Sequence, residues 1–219
     1  MGNTNFTLEK INIEVYKYFL LCIFLDILIF AANFTLISDN LYFNTFSGSF
    51  EYDRIILLLE QAKKWEWTTY VLFPILIFIK LSLITFCLAI AYYLQCNRFK
   101  FNLFFNTLLN SELIFLVPIL CKIVWFLFIQ TDYDFNDLQR FYPLSVLNLF
   151  NTESLPKYWL YPLQLLNLFE VAYWFLLAHG VADATGFSLR RSFGLVMSSY
   201  GVGLVLWVVL VMFLTITYS

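Results

Sequence analysis

The sequence predicts an all-α, polytopic membrane helix bundle: five transmembrane helices plus a short interfacial amphipathic helix. Three observations carry that expectation. Only 13% of the 219 residues are charged, whereas a soluble domain carries about 25%. Apolar residues make up 61% of the chain and fall in long blocks. A helix needs about 20 such residues to cross a hydrocarbon core about 30 Å thick. Backbone N–H and C=O groups find no water in lipid, so blocks of this kind are stable there as helices and not as irregular chain. Residues 1–219 read as a single integral membrane domain.

The first apolar block covers 15–37. It is too long for the apolar stretch of a signal peptide, and no small-x-small cleavage pattern follows Phe30-Ala31-Ala32-Asn33, so an uncleaved first span is expected. A polar stretch follows. In 50–66, Ile55, Ile56, Leu58, Leu59 and Ala62 alternate with Glu51, Asp53, Arg54, Glu60, Lys63 and Lys64. Ser49 is a candidate cap, and the two early acids suit a helix N-terminus. This reads as the amphipathic helix lying at the membrane surface. Trp65 and Trp67 mark the water–lipid boundary. The second span is predicted at 69–94, with Pro74 in its first turns. After a hydrophilic turn and a Phe- and Asn-rich linker come spans at 111–129, 158–181 and 192–216. An acidic segment with Asp132, Asp134, Asp137 and Arg140 separates the third from the fourth, and Arg190-Arg191 lies before the fifth.

Orientation follows from the basic residues. With the N-terminus inside, the short cytoplasmic segments carry Lys10, Lys17, Arg98, Lys100, Arg190 and Arg191. The outer loops carry Arg54, Lys63, Lys64, Arg140 and Lys157. The inner set is concentrated in short segments beside the membrane, where this bias counts most. The expectation is a bacterial cytoplasmic (inner) membrane protein with its N-terminus inside and its C-terminus outside.

One internal echo stands out. The segment beginning Tyr142-Pro143-Leu144 and running to Asn148-Leu149-Phe150 recurs 19 residues later, from Tyr161-Pro162-Leu163 to Asn167-Leu168-Phe169. The first copy is too short to cross a membrane. It reads either as an interfacial or re-entrant helix beside the fourth span, or as chance similarity in a Leu/Asn/Phe-rich chain.

The informative residues are the ionisable ones inside the spans. Asp26, Lys80, Lys122 and Glu170 fall near the middles of the first four, and Glu112 lies near the start of the third. Each costs roughly 2.5–3.5 kcal/mol at a helix centre, so four unpaired ones would oppose insertion by about 10–14 kcal/mol. They are expected to face the bundle interior and pair: Glu170 with Lys122 or Lys80, Asp26 with the remaining lysine, and Glu112 as a spare partner. Such a network either fixes helix order and register or lines a pathway for protons, ions or a polar substrate. His179 and Asp183 are one turn apart. The fifth span has no charge, but Gly194, Ser198, Ser199, Gly201 and Gly203 give it a small-residue face for packing against a helix of the bundle, a second copy or a partner.

No catalytic, cofactor-binding or metal-binding residue is predicted. His179 is the only histidine, and no His-Glu-x-x-His, Gly-x-Gly-Asp, P-loop or Cys-x-x-Cys occurs. The run Asp132 to Asp137 resembles the start of a calcium loop, but lacks Gly at the sixth position and has Pro143 at the twelfth. No basic run suggests nucleic acid. The expected partners are the lipid bilayer and a membrane protein or a second copy of the chain.

The order of spans resembles the Yip1 family of membrane proteins. The resemblance is carried by Asn97-Arg98-Phe99-Lys100, by the Pro118-bearing third span, and by Glu170-Val171-Ala172-Tyr173-Trp174-Phe175 through Gly180, Arg190-Arg191 and the small-rich last span. It covers roughly residues 70–213, without the long polar N-terminal tail of eukaryotic members. It implies a non-enzymatic protein that works through helix–helix contacts, as a scaffold or accessory subunit. A small transporter or ion-translocating protein using the mid-span charges is the alternative.

Overall fold

The computed structural model describes residues 2–152 and 154–218, and within them the side chains of all but residues 2–14, 40 and 44. The Lys10 side chain of the orientation argument falls outside that set. The described residues are helical almost throughout. In order they form α1 (Gly2–Leu36), α2 (Asp39–Phe46), α3 (Tyr52–Cys96), α4 (Phe101–Glu112) and α5 (Leu116–Phe128). Then follow α6 (Phe135–Arg140), α7 (Lys157–Leu165), α8 (Leu168–Thr185), α9 (Leu189–Val196) and α10 (Val202–Tyr218).

Four helical stretches among the described residues are long and apolar enough to cross a membrane: Val15–Leu36, Tyr52–Cys96, Phe101–Phe128 and Leu189–Tyr218. The expected fourth span, 158–181, is not one continuous helix. It is divided between α7 and α8 by a break at Leu166 and Asn167.

Two further boundaries differ from the sequence expectation. The amphipathic stretch 50–66 and the span 69–94 are one 45-residue helix, α3. Nothing between Glu66 and Thr69 breaks a helix, and hydropathy changes across the tryptophans without a change of backbone. Pro74 sits inside α3 without ending it. The linker before the third span is also helical: α4 starts at Phe101, ten residues before the predicted start at 111, and joins α5 through the 3-10 turn Leu113–Phe115. Pro118 has no N–H for the carbonyl four residues back, and the tightened turn lies where that bond is missing.

Left-handed caps end two helices. Asn97 (φ 51°) terminates α3, and Gly186 (φ 76°) terminates α8 with its N–H on the Ala182 carbonyl. Asn97 is followed by the basic turn Arg98-Phe99-Lys100, and Gly186 by Phe187-Ser188.

The main core lies between α3, α4, α8 and α9. Leu81, Leu88 and Ala89 of α3 meet Phe104 and Leu108 of α4, Tyr173, Leu177, Ala178 and Val181 of α8, and Leu195 and Val196 of α9. The α8 set is spaced at four, five and eight residues, one face of a 3.6-residue helix. Gly180 sets the α4–α8 spacing: a Cβ there would lie 2.5 Å from the Thr107 Cγ2. In lipid this close approach stabilises through dispersion, since burial from water is no longer at stake. A second cluster (Leu36, Leu41, Phe126 and Leu138) closes the opposite end, where Tyr133 donates its hydroxyl to the Leu36 carbonyl at 3.0 Å.

Candidate functional site

The break between α7 and α8 organises the polar interior. Pro162, which has no N–H, is buried in the last turns of α7, and the helix ends three residues later. Asn167 then opens α8. Its Oδ1 accepts the Glu170 N–H at 2.8 Å, and its Nδ2 donates to the Gln164 and Leu165 carbonyls at 3.1 and 2.9 Å. One buried amide thus satisfies groups on both sides of the gap. The segment Leu144–Val146 supplies the rest: Val146 N–H donates to the Leu166 carbonyl at 2.9 Å, and Leu168 N–H donates to the Leu144 carbonyl at 3.2 Å. Ser145 and Asn167 therefore form an isolated antiparallel bridge. Interrupted backbone at membrane depth is stable only where protein makes these bonds. The arrangement requires Leu144 at φ 54°, a conformation that costs a non-glycine residue about 1–3 kcal/mol.

The internal echo serves this break without structural equivalence. In the first copy Val146–Leu149 is a 3-10 turn, whereas the second copy spans the end of α7 and the start of α8. The first copy forms a 3-10 turn and no α-helix; it is a strap that pairs with the gap in the second.

Glu170 is the third residue of α8 and 4% exposed. Asn167-x-x-Glu170 has capping-box spacing, in which the acid would return to the cap's own N–H. Here it is diverted. Its Oε1 accepts the Tyr200 hydroxyl at 2.6 Å and the Trp174 indole N–H at 2.9 Å. Tyr200 lies in the π-helical segment Met197–Gly201 of the last span, which joins α9 to α10. Such widened turns re-aim side chains and recur at functional sites. The positive end of α8 further favours a carboxylate at this position.

Beside it, Lys80 of α3 and Glu112 of α4 form an ion pair and a hydrogen bond. Lys80 also sits 4.8 Å over the Phe115 ring, and that ring is 5.0 Å from Tyr173. Tyr173 is fully buried, stacks edge-on at 5.4 Å with Tyr200, and lies within electrostatic reach of Glu112 and Glu170. The Tyr173 hydroxyl and the Glu112 Oε2 are both buried without a hydrogen-bond partner among the described residues.

The predicted charges therefore divide. Lys80, Glu112 and Glu170 come together, with the spare acid Glu112 taking the lysine and Glu170 taking hydroxyl and indole donors. Lys122 turns away to donate to the Leu138 carbonyl, tying α5 to α6. Asp26 stays on α1 beside Cys22 and Tyr18, and its buried Oδ1 has no hydrogen-bond partner among the described residues. Four members of the cluster were not singled out from sequence: Asn167, Tyr173, Trp174 and Tyr200. The signals were present. An Asn-x-x-Glu spacing within an apolar block marks a helix start, and Pro162 lies five residues before it.

The small residues of the last span do not share one buried face. Gly201 is inside, with the Met197 Cε 3.0 Å from the position of a Cβ. Gly194 and Gly203 meet nothing within 4 Å, and Ser198 is exposed with its hydroxyl on the Leu195 carbonyl at 3.1 Å. On the α4–α8 seam, Thr107, Asn110, Ser111, His179 and Asp183 line an open polar cleft of about 590 Å³, where His179 Nδ1 lies 3.1 Å from Asp183 Oδ2. No group of three potential metal ligands gathers among the described residues. No family model, curated protein or solved structure matches the chain.

Proposed function

We propose that the chain is a non-enzymatic, five-span, Yip1-like protein of the bacterial cytoplasmic membrane, acting as a scaffold or accessory subunit of a membrane complex. In this reading the N-terminus is inside and the C-terminus outside. The interrupted pair α7 and α8 forms the fourth of the five crossings, and the charged first part of α3 lies at the outer surface.

The observation that carries the reading is a filled interior. Leu81, Leu88, Phe104, Leu108, Leu177 and Val181 are all fully buried, and the α4–α8 seam is locked by Gly180 against Thr107. A bundle filled in this way offers its outer faces as working surfaces. The last span offers most, since Val205, Leu206, Trp207, Val209 and Phe213 are all more than half exposed. Affinity purification in mild detergent is expected to recover a stoichiometric membrane partner or a homo-oligomer; a clean monomer with no partner overturns the proposal.

One observation favours a second reading, a small proton- or ion-translocating protein. Broken helices with a buried acid at the gap are how many transporters build their sites, and Glu170 at the start of α8 has that placement. Flux in proteoliposomes would then collapse in Glu170→Gln while expression and fold persist. A Glu170→Gln chain that fails to fold favours a structural role for the acid.

A further inference from the structure

Two open cavities meet on the outward face of α4. On the α1 side, Leu20, Leu21, Phe24, Leu109 and Leu113 line an apolar groove of about 360 Å³, and Lys17 stands at its mouth. On the α8 side lies the polar cleft of Thr107, Ser111, His179 and Asp183. Asn110 borders both. It belongs to a stripe, Asn102, Asn106 and Asn110, whose four-residue spacing sets the three amides along one side of α4. A side-chain amide turned to hydrocarbon without a partner is costly, so this face calls for a polar occupant.

Contacts across α4 fix the heights. Lys17 Nζ donates to Asn106 Oδ1 at 3.4 Å, and Gly180 lies against Thr107. Lys17 therefore stands on one side of α4 and the His179–Asp183 pair on the other, at about the same level. That level is near the end of the bundle where the apolar stretches Val15–Leu36 and Phe101–Phe128 begin. From there the groove runs inward: Phe24 lies seven residues beyond Lys17, a rise of roughly 10 Å.

A base and an acid flanking a polar face, with an apolar groove descending from the base, match an amphiphile whose head carries both charges. The acid side also specifies the cation. Thr107 and Ser111 spend their hydroxyl protons on the Leu103 and Thr107 carbonyls of their own helix, both at 3.0 Å. What they retain for the cleft is acceptor lone pairs, beside the Asp183 carboxylate. Such a set is matched by N–H donors, and a primary ammonium has three. We propose that the outward face of α4 binds one phospholipid with a primary-amine head group, its acyl chain in the α1–α4 groove, its phosphate at Lys17 and its ammonium at Asp183. The inference rests neither on the scaffold reading nor on which way the bundle is inserted.

The test is native mass spectrometry of the full chain in micelles doped with phosphatidylethanolamine, phosphatidylcholine or phosphatidylglycerol of identical acyl chains. One phosphatidylethanolamine per chain should be retained, about tenfold more tightly than phosphatidylcholine, whose trimethylated nitrogen has no N–H to donate. Asp183→Asn should abolish that preference, and Lys17→Gln should weaken retention of all three lipids. Leu113→Trp, which fills the groove, should release them as well. Lys17, Leu113 and Asp183 are exposed, so each variant leaves the core as it is. Equal retention of the three lipids, or of none, overturns the proposal. So does a preference that survives Asp183→Asn, or retention untouched by Lys17→Gln. Tighter binding of phosphatidylglycerol would reduce the site to a basic patch that attracts anionic lipid, and a lipid-free dimer would give the face to a second copy; either result overturns it.

Discussion

Gly180→Ala is the sharpest perturbation of the bundle, because its cost can be worked from one contact. The added methyl would lie 2.5 Å from the Thr107 Cγ2, far inside van der Waals contact. Thr107 cannot easily yield. A β-branched side chain on a helix has few rotamers, and this one is held by its hydroxyl on the Leu103 carbonyl at 3.0 Å. The helices must separate or a side chain must leave its rotamer, at about 1–3 kcal/mol. Thr107→Ser removes Cγ2 and retains the hydroxyl, so the double variant should recover most of the loss. Unfolding of the four chains in mixed micelles closes a double-mutant cycle, with a coupling of about 1–3 kcal/mol expected. A neutral Gly180→Ala, or a double variant as unstable as the single, refutes the claim that this seam is set by that contact.

Other consequences are checked more simply. Asn167→Ala removes the α8 cap and the bonds to Gln164 and Leu165, and should cost about 1–2 kcal/mol by thermal unfolding in detergent, with Tyr200 fluorescence reporting the loosened Glu170 contact. Lys122→Met frees the Leu138 carbonyl and should speed amide exchange in α6 without disturbing the α3–α4–α8 core. The Asp134 carboxyl is held below its ordinary value, chiefly by the Asp137 N–H, with Asn136 and Arg140 adding to the effect. Its capping contribution is therefore complete above the ordinary aspartate value of about 3.9, and is lost as pH falls through the lower folded value. Asp134→Ala should cost about 1 kcal/mol at neutral pH and nothing in acid, read from amide exchange at Asp137.

The membrane class was legible from sequence because it rests on summed composition, which no packing detail can reverse. Continuity was harder to read. At Trp65 and Trp67 the solvent preference of α3 changes while its backbone does not, so a boundary visible in hydropathy is invisible in the helix. At Asn167 the opposite holds: hydropathy runs on through Leu165, Leu166 and Leu168 while the helix stops, and only the cap spacing reveals it. Pairing was least legible. Which acid meets Lys80 depends on how α3, α4 and α8 rotate about their own axes, and that is fixed by contacts such as Gly180 with Thr107. Glu112 was named as a candidate, but its lysine was assigned to other acids. Tyr200 reaches Glu170 only because a π turn re-aims it, and neither Ser198-Ser199 nor Gly201 announces such a turn in the sequence.

The length of α3 has a mechanical consequence. Its 45 residues rise roughly 68 Å at about 1.5 Å each, against a hydrocarbon slab of about 30 Å. A little over half the rod therefore stands clear of the oily layer if it crosses upright. Lys80, past the middle of the rod, joins it to the polar cluster, and Asp39 of α2 pairs with Lys63 in its first part at 2.8 Å. A tilt of about 10° about Lys80 would sweep Tyr52, roughly 42 Å away, through about 7 Å. Small rotations at that depth would be enlarged at the charged end in proportion to its distance.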